Sequence, residues 1–301
     1  MTGERKHGFG QVLTDFSSSL TYTADHGDDG GEGMEPCPLC RCRPFVYGDP
    51  VTMSDALCSR FVRRSDACSS HFIYPLPATW WSRGYEYAWA AGFAEPGDIA
   101  LDAASGIEHP LKFHLLDHCR RCHACDVDRR IVSPGAIREA LGDIWGRSTP
   151  APPPDRYLYD IDYCRARLEE LPYPDGKFDK IYCISVLEHL PDRFNRSRVL
   201  RPLRRVLPFA ARKMAQAMAE FHRTLKDGGL LVLTLDYPRI DLEYFLLVVA
   251  ETGFSFCGPV ERDLPGDALY SEKHQLYCFR ALLRKEGGEA AKLFKEAGVS
   301  A

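Results

Sequence analysis

Two aspartates, each placed directly after a short apolar segment, are the residues best suited to hold a polar ligand. Asp102 follows Ile99-Ala-Leu, and Asp126 follows His123-Ala-Cys. If the two segments are neighbouring parallel strands, both carboxylates lie at the sheet edge where such folds bind ligands. One can face an ammonium group while the other accepts hydrogen bonds from both hydroxyls of a ribose. The alternative for each aspartate is a helix N-cap.

The elements that would position these aspartates alternate between short apolar strands and helices. Because the strands are apolar along their length, the pattern predicts an α/β fold with a mostly parallel sheet covered by helices on both faces. Strands are expected at 99–102, 123–127, within 157–167, and at 178–186, 230–235 and 275–283; helices are expected at 80–92, 110–121, 136–145, 209–226 and 241–252.

Composition excludes several classes of protein. The chain has 301 residues, of which 45% are hydrophobic and 27% charged, so it is neither a disordered nor a fibrous chain. The formal net charge of −4 gives no reason to expect nucleic acid as a partner. No apolar run is long enough for a membrane span or a secretory signal. We therefore expect a cytoplasmic protein whose 12 cysteines stay reduced.

Four segments resemble class I S-adenosylmethionine-dependent methyltransferases, in particular the type 11 group. They follow one another between Asp98 and Arg284, at spacings natural to that family. The most specific, LEELPYPDGKFDKIYCISVLEHLP, combines an L-P-x-P-D-G-x-F-D core with a strand and L-E-H-L. The segments are 98–108, 124–128, 168–191 and 221–235. The resemblance implies a Rossmann-like, doubly wound sheet of seven strands, with S-adenosylmethionine as cofactor.

The resemblance also implies roles for individual residues. The methionine end of the cofactor would meet Asp102, Ala103, Ser105 and Gly106; the ribose and adenine would meet Asp126, Val127, Leu168 and Glu169; Ile184 and Ser185 would pass under the sulfonium. His189, one helical turn further on, would be the catalytic base. The alternative is that its imidazole makes only local hydrogen bonds at the helix start. The chain departs from the family at the loop D-A-A-S-G-I-E, which keeps one glycine of three, Gly106. A second departure is Arg167, which replaces an adenine-reading aspartate.

An aromatic segment, Trp80–Trp89, precedes the first predicted strand. Its helix could close over the cofactor, with Arg83 or Tyr87 binding the methionine carboxylate. The equally weighted alternative is an amphipathic helix that buries its aromatic side chains in the core.

The cysteines divide into one candidate metal site and a set of core thiols. Cys37, Cys40 and Cys42 form a C-P-L-C-x-C knuckle that could hold a structural zinc, although no second C-x-x-C follows. Cys119, Cys122 and Cys125 run from a helix into a strand, so their spacing is interpreted as coincidence. Cys58, Cys68 and His71 are the possible fourth ligands of the knuckle. Cys164, Cys183, Cys257 and Cys278 lie in or near predicted strands and are interpreted as core residues.

The predicted organisation has four parts. Residues 1–35 form a flexible segment, 36–95 an extension with the cysteine knuckle and aromatic cap helix, 96–285 the methyltransferase domain, and 286–301 a tail. Residues 192–213 are a basic insertion with eight Lys and Arg against one acid. The favoured function is methyl transfer to a small-molecule acceptor. The alternatives are a metal-stabilised binding protein without turnover, and an RNA or protein methyltransferase that uses the insertion. The sequence does not decide the oligomeric state.

Overall fold

The computed structural model describes residues 50–145, 153–190 and 213–287, and the structural statements below concern this part of the chain. Its helices are α1 (Pro50–Leu57), α2 (Arg83–Ala91), α3 (Leu111–His118), α4 (Pro134–Trp145), α5 (Arg156–Tyr159), α6 (Lys213–Thr224) and α7 (Leu242–Glu251). Its strands are β1 (Arg60–Phe61), β2 (Ile99–Ala103), β3 (Arg121–Asp126), β4 (Asp162–Arg165), β5 (Phe178–Ile184), β6 (Leu225–Tyr237), β7 (Phe254–Phe256), β8 (Tyr270–Ser271) and β9 (Leu276–Lys285). Short 3₁₀ turns cover Arg129–Val132 and Leu187–His189.

All the strands of the described residues join one sheet, whose continuous path is β1–β9–β6–β5–β2–β3–β4. The five strands from β6 to β4 pair in parallel, and β9 lies antiparallel to β6. The predicted mostly parallel sheet is confirmed, and its continuous path has seven strands. The short strands β1, β7 and β8 are antiparallel to β9 and share the edge of β9 that β6 does not occupy.

Side chains alternate between two hydrophobic clusters on opposite faces of the sheet. Leu101 and Ile181 belong to one cluster, with side chains of α6 and α7. Ala100 and Tyr182 belong to the other, with side chains of α2, α3 and α4. Because successive strand residues point to opposite faces, the sheet lies between two helical layers, as the doubly wound prediction requires.

The boundary between α6 and β6 differs from the prediction. The sequence places the helix end at Asp227-Gly228-Gly229, but α6 ends at Thr224 because Leu225 already pairs with Phe178 of β5. Gly228, at φ +77°, takes up the register shift inside the strand. By contrast, α7 agrees closely: Asp241 accepts the N–H groups of Glu243 and Tyr244 as N-cap, and Gly253 (φ +78°) follows its end.

Two features of the fold bear on the site. The chain runs from β2 to β3 and β4 on one side, whereas β5 lies on the other side of β2, so the strand order reverses between β2 and β5. In addition, β1 belongs to the segment 36–95 yet pairs with β9, so this segment contributes to the sheet. No helix of the described residues has the length and apolar character needed to cross a bilayer.

Candidate functional site

A cleft of about 470 Å³, counting its solvent-open part, lies at the carboxyl ends of β2 and β5. This is the point where the strand order reverses. Its walls come from α2, the loop after β2, and the residues that end β5. The lining residues are Arg83, Tyr87, Asp102, Ala104, Ser105, Gly106, His109, Leu111, Ile184, Ser185 and Val186. Seven of these are residues that the sequence assigns to cofactor binding.

Asp102 brings a buried carboxyl group to the cleft wall. Its side chain is 3% exposed, and Oδ2 has no hydrogen-bond partner among the described residues. Burial raises the pKa of Asp102 to about 7, although the nearby Lys112 ammonium opposes the shift. A buried carboxylate oxygen without a donor is unfavourable, so a cationic or hydrogen-bonding ligand in the cleft would stabilise it.

Lys112, in the first turn of α3, holds the loop after β2 from inside the protein. Its side chain is fully buried, and Nζ donates to the carbonyl oxygens of Gly106 at 3.0 Å and His109 at 2.6 Å. Burial lowers the pKa of Lys112 to about 8, while Asp102 acts in the opposite direction. No pattern in the sequence indicates this contact, because a lysine between apolar residues resembles an exposed helix position.

The loop backbone turns twice through the left-handed region. Gly106 has φ +60°, and a Cβ there would lie 2.6 Å from Cδ2 of His109, so glycine is required. Ala104 has φ +56°, the conformation that the family's glycine at this position would adopt easily. The side chain of Glu108, where the family has a third glycine, lines a different cavity with Arg130.

Replacing Ala104 by glycine is expected to stabilise the protein. Removing the Cβ relieves left-handed strain of about 1–2 kcal/mol, and the greater freedom of the unfolded chain offsets part of it. We expect the free energy of unfolding in urea to rise by about 0.5–1 kcal/mol. Ala103→Gly, inside β2, is the control and should lower it by a similar amount. A less stable Ala104→Gly protein would contradict this account.

Asp126 ends β3 and is tied to the same loop. Its Oδ2 accepts the N–H of Gly106 and its Oδ1 the N–H of Asp128, both at 2.9 Å. Neither predicted ligand-binding aspartate caps a helix, because the N-cap of α3 is Pro110 and that of the following 3₁₀ turn is Asp128. The alternative reading of both aspartates is therefore wrong.

Glu86 is the buried centre of a polar network behind the cleft. The side chain is fully buried on α2 and pairs with Arg83. Its Oε1 accepts from Ser185 Oγ at 2.5 Å and from Thr234 Oγ1 at 2.7 Å. Burial alone would raise the pKa of Glu86, but Arg83 and the hydrogen bonds outweigh it and hold the pKa below its usual value.

The same network fixes the end of β5. Ser185 has φ +50°, and its N–H donates to the Thr234 carbonyl at 2.9 Å. A non-glycine residue in this region is strained and needs surrounding contacts to hold it. Glu86 and Thr234 supply those contacts, and so they set the cleft wall that Ile184 and Ser185 form.

The aromatic helix α2 both lines the cleft and packs in the core. Tyr87 lines the cleft and is hydrogen-bonded to His109 Nδ1 at 2.7 Å, whereas Trp89 packs in the core. Trp80 stacks on His109 with ring centroids 4.2 Å apart. Burial lowers the pKa of His109 well below its usual value. The imidazole is therefore neutral near pH 7.

Beyond the cleft, two buried carboxyl groups meet at the ends of β5 and β6. Glu188 Oε1 accepts the N–H of Asp236 at 3.2 Å, while Oε2 has no partner among the described residues. Burial raises the pKa of Glu188 to about 8, with a further contribution from Asp236. Burial also raises the pKa of Asp236 to about 6. The predicted base, His189, lies beside this pair with a side chain 53% exposed and does not line the cleft.

The remaining predicted residues lie around the cleft or outside the described chain. Ala103 is buried next to Asp102, and Val127, 58% exposed, follows Asp126. Leu168 is in the core, and the carboxylate of Glu169 contacts Arg167 at 3.1 Å and Lys213 at 3.3 Å. Cys37, Cys40 and Cys42, and the insertion up to residue 212, lie outside the described residues. The zinc site therefore stays a prediction, and the comparisons below give it no support.

Two residues that shape the site, Glu86 and Lys112, were not predicted from the sequence. A recognisable sequence pattern was present only for Glu86. Glu86 stands three residues after Arg83 in a helix that buries its aromatic side chains, and an i,i+3 pair on such a helix marks a candidate buried ion pair.

Comparisons with known proteins agree with this geometry. Residues 101–233 match the family model described as a methyltransferase domain. A sequence search of the curated proteins gave no match.

Several solved structures are similar to the chain. One is an S-adenosylmethionine-dependent methyltransferase from Mesorhizobium loti (17% identity over 66% of this chain and 98% of that one, TM-score 0.43). Another is the N-methyltransferase NodS from Bradyrhizobium japonicum in complex with S-adenosyl-L-homocysteine (13% identity over 64% of this chain and 80% of that one, TM-score 0.38). A third is the YcgJ protein from Bacillus subtilis (13% identity over 67% of this chain and 99% of that one, TM-score 0.43). Similarities at this level say nothing about the substrate.

The family match spans the core of the sheet, from Leu101 in β2 to Leu233 in β6, and so includes the carboxyl ends of β2 and β5. Residues 101–233 of the chain are thus similar to methyltransferase domains, a match that covers less than half of the chain.

Proposed function

We propose that the cleft binds S-adenosylmethionine and that the protein transfers its methyl group to a small-molecule acceptor. The observation that carries the proposal is the buried Oδ2 of Asp102, an acceptor without a donor in the wall of the cleft. A cofactor with an ammonium group supplies that donor.

The methionine end of the cofactor fits the charges of the cleft. Asp102 and Arg83 line the same space, so an ammonium and a carboxylate find opposite charges there. Glu86 engages Nη1 of Arg83, and a guanidinium carries five N–H donors, which permits a bidentate contact to the ligand carboxylate. Tyr87 and the neutral His109 add no positive charge that would repel a sulfonium.

The adenosine end is assigned to the edge beyond Asp126. Each of its carboxylate oxygens accepts one backbone N–H, and each has a second lone pair for a ribose hydroxyl. Val127 offers an exposed apolar surface for the adenine ring. Because two cations hold Glu169, we assign the adenine edge to the Leu168 backbone.

When bound, the cofactor supplies an electrophilic methyl group for in-line attack by a nucleophile of the acceptor. The protein's part is positioning: Asp102, Arg83 and Asp126 hold the two ends, while Ile184 and Ser185 form the wall between them. His189 does not line the cleft, so the proposal assigns it no role as a base. A small acceptor fits the overall negative charge better than a nucleic acid does.

Binding of S-adenosylhomocysteine is expected to weaken as the pH falls through about 7. Burial raises the pKa of Asp102 to about 7, and the ligand ammonium favours the ionised carboxyl group. Below that pH the carboxyl must lose a proton on binding, so affinity falls by up to about tenfold per pH unit. Calorimetry between about pH 7.5 and pH 6 measures this slope.

Asp102→Asn is the control for this pH effect. It should bind more weakly at the upper pH and show no such slope. A wild-type affinity that is independent of pH would contradict the role of Asp102.

Methyl transfer can be tested before the acceptor is known. The protein is incubated with S-adenosylmethionine and, separately, with the low-molecular-weight, RNA and protein fractions of a cell extract, and S-adenosylhomocysteine is measured by mass spectrometry. We expect product only with the low-molecular-weight fraction and none with Asp126→Ala. Product that appears only with RNA or protein would contradict the small-molecule acceptor.

A further inference from the structure

Three potential metal ligands converge at the carboxyl edge of β5 and β6. Glu188 and His189 lie in the 3₁₀ turn after β5, and Asp236 lies near the end of β6, which pairs in parallel with β5. Each residue offers one ligand atom, and these atoms lie within 4.8 Å of one another. That spacing allows one ion to touch all three, because metal–ligand distances are about 2.0–2.6 Å.

Glu188 gives a second, independent sign that something is held there. Its side chain is completely buried, yet Oε2 has no hydrogen-bond partner among the described residues. The other oxygen, Oε1, accepts the N–H of Asp236 at 3.2 Å. This bond orients the carboxyl group, and a buried oxygen without a donor needs a cation, a proton or a water molecule.

The positively charged side chains around Glu188 and Asp236 do not form close ion pairs with them. Nη1 of Arg239 is 3.4 Å from Asp236 Oδ2, longer than a charge-assisted hydrogen bond, and the Arg239 side chain is 45% exposed. Arg83 and His274 act on Asp236 at longer range, where Glu86 opposes them.

We propose that Glu188, His189 and Asp236 form a binding site for a divalent cation. Two carboxylate oxygens and one imidazole nitrogen suit a hard to borderline ion such as Mn²⁺. Three protein ligands leave coordination positions open, and the exposed His189 side gives the ion a path from solvent. Binding of the ion does not depend on the proposed methyl transfer.

We use Mn²⁺ as the probe. It is titrated into the tag-free full chain after a chelator has removed bound metal ions. Mn²⁺ avoids a confounding site, because thiolates such as those of Cys37, Cys40 and Cys42 prefer softer ions. Electron paramagnetic resonance counts the unbound ion during the titration. We expect one ion per chain, with affinity reduced more than about 100-fold in Glu188→Gln and Asp236→Asn, and about tenfold or more in His189→Ala.

Matched controls lie at the opposite edge of the sheet. Asp160 precedes β4, and His118 and Glu251 stand at the ends of α3 and α7, which run back from the carboxyl edge. All three are exposed, so Asp160→Asn, His118→Ala and Glu251→Gln should bind Mn²⁺ as the wild type does.

Thermal unfolding guards against a folding defect. Mn²⁺ should raise the Tm of the wild type and the controls but not that of Glu188→Gln. The proposal is overturned if the wild type binds no Mn²⁺ at millimolar concentration, or if folded Glu188→Gln and Asp236→Asn bind it unchanged. Adding S-adenosylhomocysteine in a separate titration shows whether the two sites are occupied independently.

Discussion

Replacing Glu86 by leucine is expected to lower the free energy of unfolding by about 3–5 kcal/mol, the usual cost of leaving one partner of a buried ion pair behind. Arg83, whose side chain is 19% exposed, would lose its counter-charge. Ser185 and Thr234 would lose the oxygen that accepts from both. Urea denaturation monitored by circular dichroism measures the change.

Two further variants sharpen this test. Glu86→Gln keeps an acceptor for Ser185 and Thr234 but removes the charge, so its loss should be smaller than that of Glu86→Leu. Glu170→Leu, an exposed glutamate, is the matched control and should change stability by less than about 0.5 kcal/mol. A loss below about 1 kcal/mol for Glu86→Leu would mean that the network does not hold α2 to the sheet.

The second large effect is expected at Asp126. Asp126→Ala should weaken binding of S-adenosylhomocysteine by at least about 100-fold, because hydrogen bonds to a carboxylate contribute about 1.5–3 kcal/mol each and two ribose hydroxyls lose theirs. The variant also leaves the N–H groups of Gly106 and Asp128 without their acceptor. The loop after β2 would then move from its position.

Asp128→Ala is the matched control for Asp126→Ala. Asp128 is also an acid at this edge, but it caps the following 3₁₀ turn and pairs with Arg130. Its loss should change the affinity several-fold at most. If Asp126→Ala binds with the wild-type Kd, the ribose does not lie at Asp126.

The sequence was sufficient for features that depend on local pattern. Short apolar runs that end in Asp102 and Asp126 located β2 and β3, and pairing in parallel necessarily placed both acids at one edge. The helix α7 was predicted nearly to the residue, because an N-cap aspartate and a terminal glycine mark its two ends.

Features that depend on contacts distant in sequence were not predictable. The hydroxyl groups that donate hydrogen bonds to Glu86 belong to Ser185 and Thr234, which lie 99 and 148 residues further along the chain. No local sequence pattern encodes such a pairing. The loop after β2 shows the same limit. The direction of Glu108 follows from backbone turns at Ala104 and Gly106, which composition does not reveal. The end of α6 was misplaced because pairing with β5 overrode the glycine signal.

Every role proposed for the cofactor-binding residues depends on binding of S-adenosylmethionine in the cleft at the ends of β2 and β5. Titrating S-adenosylhomocysteine into the wild-type protein in a calorimeter, slightly above pH 7, tests it most directly. We expect saturable binding of one ligand per chain with a micromolar Kd. A flat titration at millimolar ligand would contradict it.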